Sequence, residues 1–317
     1  MTDTQKEVFK TPVNKIRLFE HGAPGSQNLK LTRKYYTEDM PDGRVKHIVQ
    51  NITDPDIVPY IPDGIGNSTD RQRIPAVLII PGGAFRRLVY NFEGEDVAKW
   101  LNSMGIAAFV LECRLPSDEH DNAEDVPLID AMRAMRVIRG RAQEFGIDEA
   151  KIGVMGFSAG GFMAALLSTA YESDVYADYK YKDEYDKLSA RPDFAVCSYP
   201  VISIDDCIEA GKRYMSEEQV LERISDSNAK ILHKYNPDKL VRPDMPPVFI
   251  CETDDDRTTL SENSVGFYMA ARKAGVSAEL HIFRTGGHGY GCGDDFAQTG
   301  EWKVLFTKWI KSIGIIS

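Results

Sequence analysis

Residues Ile152–Phe162 read IGVMGFSAGGF: an apolar run, a serine between two closely spaced glycines, then an alanine-rich segment. The apolar run is short and continuous, as expected of a strand buried on both faces, and residues 159–171 continue as a predicted helix. A hydroxyl at the point where a strand turns into a helix has two readings. Serine is a favoured helix cap. Serine is also the centre of G-x-S-x-G, which Gly156-Phe157-Ser158-Ala159-Gly160 matches, and in which a sharp turn lifts the hydroxyl above a sheet. The helix that follows would aim its free N–H groups and positive dipole end at the same point, where they suit a developing oxyanion.

Working outward, apolar segments alternate with helical patterns. Strand-like pieces lie at Val45–Ile52 and Ile57–Ile61, then at 76–80, 106–111, 151–156, 194–202, 246–253 and 278–283. Helices are predicted at 94–104, 125–145, 159–171, 260–274 and 299–313. Strands that are apolar throughout and separated by helices call for a mostly parallel central sheet with helices on both faces. The fold class is therefore α/β. The organisation expected is one domain over 1–317, with amino-terminal strands and loops in 1–75. The segment 203–243 is polar and helix-rich and interrupts the alternation. It is expected as a small insertion over the carboxyl ends of the strands, where such sheets bind ligands.

A serine hydroxyl is a weak nucleophile until a base takes its proton and a carboxylate orients that base. The chain holds 6 histidines. His21, His47 and His120 precede the serine, His233 falls in the polar segment, and His281 lies inside a predicted strand. His288 stands in TGGHGYG, a glycine-rich loop between the last strand and the last helix, and is the favoured base. The acid is sought at a strand end between Ser158 and His288, where PPVFICETDDDR offers Asp254, Asp255 and Asp256. The order serine, aspartate, histidine, each after a predicted strand, is that of an α/β-hydrolase. A fourth feature agrees with it. After the strand 76–80 comes PGGAF (81–85), whose Gly83 or Ala84 amide would join that of Ala159 in an oxyanion hole.

Charge and composition narrow the partners. A formal net charge of −10 argues against nucleic acid or an anionic membrane surface. No apolar run reaches the ~20 residues that span a bilayer. The amino-terminal stretch has no apolar h-region, so no secretory signal is expected. The 5 cysteines are dispersed, with no C-x-x-C pair, which fits free thiols and a cytoplasmic location. No H-x-x-x-H or paired cysteines occur, so neither a metal nor another cofactor is expected. The expected partner is a small-molecule ester; a homo-oligomer is left open.

Of three other features, the first two have two readings each. The tyrosine-rich, acidic segment 171–188 is an aromatic subsite or, as favoured, surface with its tyrosines tucked against the body. Arg86 and Arg87 meet an acidic substrate or pair with surface carboxylates. Glu93 reads as an acid at a helix start, placed to interact with the dipole.

Together these segments resemble the acetyl-esterase and xylan-esterase-like branch of the α/β-hydrolases, related to the hormone-sensitive-lipase-like esterases. The resemblance runs from about residue 75 to the end. It rests on PGGAF, EGEDVAKWLNSMGIAAFVLECRLP, DAMRAMRVIR, IGVMGFSAGGF, ARPDFAVCSYPVIS and PPVFICETDDD…SENSVGFYMAARKAGVSAELHIFRTGGHGYG. It implies hydrolysis of small acyl esters, often acetyl esters of sugars, through an acyl-serine. The family pattern T-x-D-D-x-x-V-P maps its catalytic aspartate onto Asp256, with Asp255 next in line. The chain departs from the family at Pro81 and Ala84 in the oxyanion loop and at Arg257–Leu260 after the acid. Two rival functions share the motifs: a serine peptidase, and a hydrolase-fold protein that only binds its ligand.

Overall fold

The structure, a computed structural model, describes Phe9 and residues 13–65, 73–220, 230–293 and 298–317. An eight-stranded sheet carries the site. Its strands are β1 (Ile16–Arg17), β4 (Asp56–Tyr60), β5 (Ile74–Ile80), β7 (Ala107–Glu112), β8 (Ile147–Phe157), β9 (Ala195–Ser198), β10 (Val248–Thr253) and β11 (Ala278–Phe283). They lie in the order β1-β4-β7-β5-β8-β9-β10-β11. From β7 to β11 every pairing is parallel, and only the β1–β4 and β4–β7 pairings, at one edge, are antiparallel. A second, antiparallel sheet joins β2 (Lys34–Asp39), β3 (Val45–Gln50) and β6 (Leu88–Val89).

The side chains explain which strands sit centrally. Every residue of β7, β9 and β10 is buried, as are Ile152–Phe157 of β8, whereas β11 at the edge is only half-buried. Strands apolar on both faces need cover on both faces. Helices α1 (Asp96–Ser103) and α8 (Glu301–Ser312) meet through Trp100 and Trp302, whose rings cross edge to face at 4.9 Å. Helix α2 (Val126–Gly140) packs on α4 (Ala159–Ala170), which lies against β8 and β9. A short α3 (Ala142–Phe145) follows α2 after a break at Arg141, and α7 (Ser261–Lys273) packs on β10 and β11. The buried apolar side chains form a continuous cluster. No helix among the described residues is long and apolar enough to cross a membrane.

Polar ties hold the amino-terminal segment to this body. Arg114 and Asp130 form a fully buried ion pair at 2.7 Å, and Arg114 also donates to Ser26 Oγ at 2.8 Å. Ser26 in turn sits 3.0 Å from Nδ1 of buried His120. The polar segment 203–243 contains α5 (Ile204–Tyr214) and α6 (Lys230–Lys234), and its residues 221–229 lie outside the described set. Ser203 Oγ caps α5 by accepting the Asp206 amide at 3.1 Å. Helix α6 is anchored through Lys234 to Asp125, just before α2, at 2.6 Å.

Candidate active site

The strand-to-helix turn answers the question raised by its serine. Ser158 has φ 54° and ψ −118°, not the extended backbone of a helix cap, and its side chain caps nothing. A non-glycine residue in this region is strained and is held there by its surroundings. The glycines of the motif are required by space. A Cβ on Gly156 would lie 1.9 Å from the Gly160 carbonyl oxygen, and one on Gly160 would lie 2.0 Å from that of Ile80. Any side chain at either position would push helix α4 off the sheet and carry the serine with it.

Freed from capping, Ser158 Oγ lies 2.8 Å from His288 Nε2, across 130 residues of sequence. On the other side of the ring, His288 Nδ1 lies 2.6 Å from Asp256 Oδ2. Asp256 is buried, and its carboxylate accepts the Thr258 and Thr259 amides at 2.7 and 2.9 Å and the Thr259 hydroxyl at 2.9 Å. Burial pushes this carboxyl upward, but the His288 hydrogen bond and charge and the two amides outweigh it and hold the group below its ordinary value. Ionised, Asp256 holds the proton on Nδ1 and leaves Nε2 as an acceptor facing the serine.

The neighbouring carboxylates do other work. Asp255 is exposed and accepts the Gly287 amide at 2.8 Å, which fastens the histidine loop to the end of β10. Thr253 Oγ1 fastens the same loop by donating to the Gly287 carbonyl at 2.9 Å. The remaining histidines are elsewhere: His47 stacks on Phe9, His120 meets Ser26, His281 meets Glu279, His21 lies beside Tyr181 and His233 lies in α6.

The loop after β5 is bent in an unusual way. Gly83, Ala84 and Phe85 all have positive φ, at 137°, 55° and 59°. At Gly83 no other residue would fit, because a Cβ there would lie 2.1 Å from the Arg87 carbonyl oxygen. Gly83 and Ala84 line the same cleft as Ser158 and His288. The amides of Gly83, Ala84 and Ala159 find no acceptor among the described residues. Ala159 opens α4, so its amide is among those a helix leaves unused.

Two buried residues lie behind this loop: Glu93, which sequence reading took for an acid at a helix start, and Tyr199, which it did not single out. Glu93 sits in a π-helical turn, Asn91–Glu95, ahead of α1, and its carboxylate turns inward instead of serving the helix dipole. It accepts the Gly82 amide at 2.8 Å and the Tyr199 hydroxyl at 2.9 Å. Burial raises the Glu93 carboxyl above its ordinary value, against the charge of His288 and both hydrogen bonds. Tyr199, at φ 37°, accepts the Gly291 amide at 3.0 Å and sets its ring edge to face with His288 at 5.0 Å. One buried carboxylate thus connects the loop after β5, the residue after β9 and, through the Tyr199 hydroxyl, the histidine loop. Strain at Ser158, Ala84, Phe85 and Tyr199 is concentrated around a single point.

The cleft above the serine has a volume of about 430 Å³. Its far wall is the β2–β3 hairpin, through Met40, Arg44, Lys46 and Gln50. No described residue of 203–243 lines it, so the expected cover by that segment is not what bounds the cleft. Arg87 lines it while pairing with Glu38 at 2.6 Å. The tyrosines of 171–188 lie elsewhere: Tyr176 and Tyr179 set their rings against Phe19, and Tyr179 donates to the Gly22 carbonyl.

Comparison with known proteins agrees with this architecture. The BD-FAE family model matches residues 65–270. An acetylxylan esterase of Xylanibacter ruminicola is 31% identical over 240 residues, covering 75% of this chain and 45% of its own length. The chain spans less than half the length of the curated relatives it matches. Among solved structures, an acetyl ester-xyloside bifunctional hydrolase from Caldicellulosiruptor lactoaceticus superposes with a TM-score of 0.69 at 35% identity, over 96% of this chain and 97% of that one. A thermophilic esterase from Thermogutta terrifontis, at 24% identity and a TM-score of 0.65, covers 93% of this chain and 96% of its own and shares the fold. With the family model spanning most of the chain and an α/β-hydrolase sheet beneath it, the protein belongs to the BD-FAE family.

Proposed function

We propose that the chain is a serine carboxylic ester hydrolase acting on small acyl esters, acetyl esters of sugars first among them. One observation carries this reading: a hydroxyl on a strained turn lies 2.8 Å from an imidazole whose other nitrogen lies 2.6 Å from a buried carboxylate. In the reaction, Ser158 Oγ attacks the ester carbonyl carbon as His288 Nε2 takes its proton. The oxyanion accepts hydrogen bonds from the amides of Ala159 and of Gly83 or Ala84. Asp256 stabilises the imidazolium and fixes its tautomer. As the tetrahedral intermediate collapses, His288 returns the proton to the leaving alkoxide and an acyl-serine remains. Water then repeats the sequence, with His288 as base, and releases the acid and the free serine.

The choice of acetylated sugars draws on the relatives, an acetylxylan esterase and an acetyl ester-xyloside hydrolase. We take the chain to work as a single unit. Five cysteines without a disulfide support our reading of a reducing, cytoplasmic setting. The test is hydrolysis of p-nitrophenyl acetate, butyrate and octanoate, then of acetylated xylo-oligosaccharides, by wild type and Ser158→Ala. Serine-dependent turnover that falls with acyl length is expected. Cleavage of a matched peptide amide in preference to the ester would favour a peptidase, and no serine-dependent turnover of either would favour a binding protein.

A further inference from the structure

The cleft is cationic in a chain whose formal net charge is −10. Arg44, Lys46, Arg86 and Arg87 line it together with Ser158 and His288. The carboxylate among its lining residues is that of Glu93, which is buried and hydrogen-bonded into the loop beneath. Glu38 and Asp42 pair with Arg87 and Arg44 from outside the lining, at 2.6 and 2.8 Å. Lys46 has no ion pair among the described residues. The Arg44 guanidinium also lies over the Phe92 ring, 5.2 Å from its centre, which adds an aromatic surface to the same wall. Hydrolysis of a neutral ester uses none of these charges, because the oxyanion is met by backbone amides. Arg44 and Arg87 are met by carboxylates, but Lys46 and Arg86 bring further positive charge to the same lining, and the repulsion this costs is one an anion bound there would relieve.

Building on the esterase reading, we propose that the alcohol half of the substrate carries a carboxylate, received by Lys46 and Arg86, and that the substrate is an acetylated sugar bearing a uronic acid. The first probes are 4-acetoxybenzoate and 4-acetoxybenzamide, which share the acetyl group and ring and differ in charge. The ratio of kcat/KM, benzoate over benzamide, is expected at about three to ten at low salt, carried by KM. It should fall toward one in about 0.5 M NaCl, where screening confines interactions to a few ångströms. Lys46→Gln and Arg86→Gln should each lower the ratio. Acetylated xylo-oligosaccharides with a uronic acid branch should outcompete unbranched ones. Equal rates within either pair overturn the proposal. Failure to cleave the benzamide ester at all would overturn the esterase reading itself, a result distinct from cleavage without charge preference.

Discussion

Replacing Glu93 by alanine tests how the oxyanion loop is held. The change removes the acceptor of two buried donors, the Gly82 amide at 2.8 Å and the Tyr199 hydroxyl at 2.9 Å. An unsatisfied buried donor costs about 1–3 kcal/mol, so the two together should lower stability by roughly 2–6 kcal/mol, and the void left by the side chain adds to this. The catalytic effect is separable from this loss. Removing an oxyanion donor outright costs about 10²–10³ in kcat, and a donor displaced with its loop should cost about ten- to a hundredfold. Glu93→Gln keeps one acceptor and should lose about tenfold or less, since its amide oxygen can still receive one of the two donors. The assay is kcat and KM on p-nitrophenyl acetate, with thermal melts to identify the temperature at which each variant is folded. The loss should appear in kcat, with KM little changed. A folded Glu93→Ala variant with kcat within about twofold of wild type would refute the reasoning, because one donor's worth of catalysis is far larger.

Three further outcomes are expected. Asp256→Asn should lower kcat by about 10³–10⁴, as loss of the tautomer-fixing carboxylate does elsewhere. Asp255→Asn should be mild, and steady-state kinetics with the order reversed would assign the acid to Asp255. Gly160→Ala places a Cβ 2.0 Å from a backbone oxygen of β5 and should cost about 1–3 kcal/mol or more in urea unfolding, with loss of activity; a neutral result would mean α4 can shift freely. Burial, then the charge of Arg114, lowers the His120 pKa to about 4, from the 6.5 of an unfolded chain. The unfolded state therefore binds a proton that the folded state refuses. Stability is intact above pH ~6.5 and declines as pH falls toward ~4, by up to about 3 kcal/mol. Urea midpoints for His120→Gln should lack that part of the acid slope; identical slopes would remove His120 as its source.

The central strands and the serine turn were legible in the sequence because their signals are local. A strand buried on both faces is apolar throughout, and residues 76–80 and 106–111, which fall in or overlap β5 and β7, read that way. The glycines around Ser158 mark close approaches of backbone that only their positions reveal. Strand β2 was not legible: KYYTED is polar, and its residues are half-buried or exposed against β3. The start of β8 at Ile147 was missed for the same reason, since Asp148, Glu149 and Ala150 face outward or lie half-buried. The predicted helix 125–145 divides at Arg141, where Gly146 closes the short second piece in the left-handed region. The bond between Glu93 and Tyr199 escaped notice, and Glu93 was read as a helix-start acid, because the two are 106 residues apart and nothing near either in the chain signals the other. The hairpin wall of the cleft was hidden likewise, as its cations join Arg86 and Arg87 only through the fold.

The most direct test of the central claim is intact-mass analysis after treatment with paraoxon, followed by peptide mapping. The account expects one diethylphosphoryl group per chain, on the peptide containing Ser158, with esterase activity lost in proportion and neither seen in Ser158→Ala. Full activity retained after stoichiometric labelling, or labelling confined to another residue while activity is lost, would contradict it.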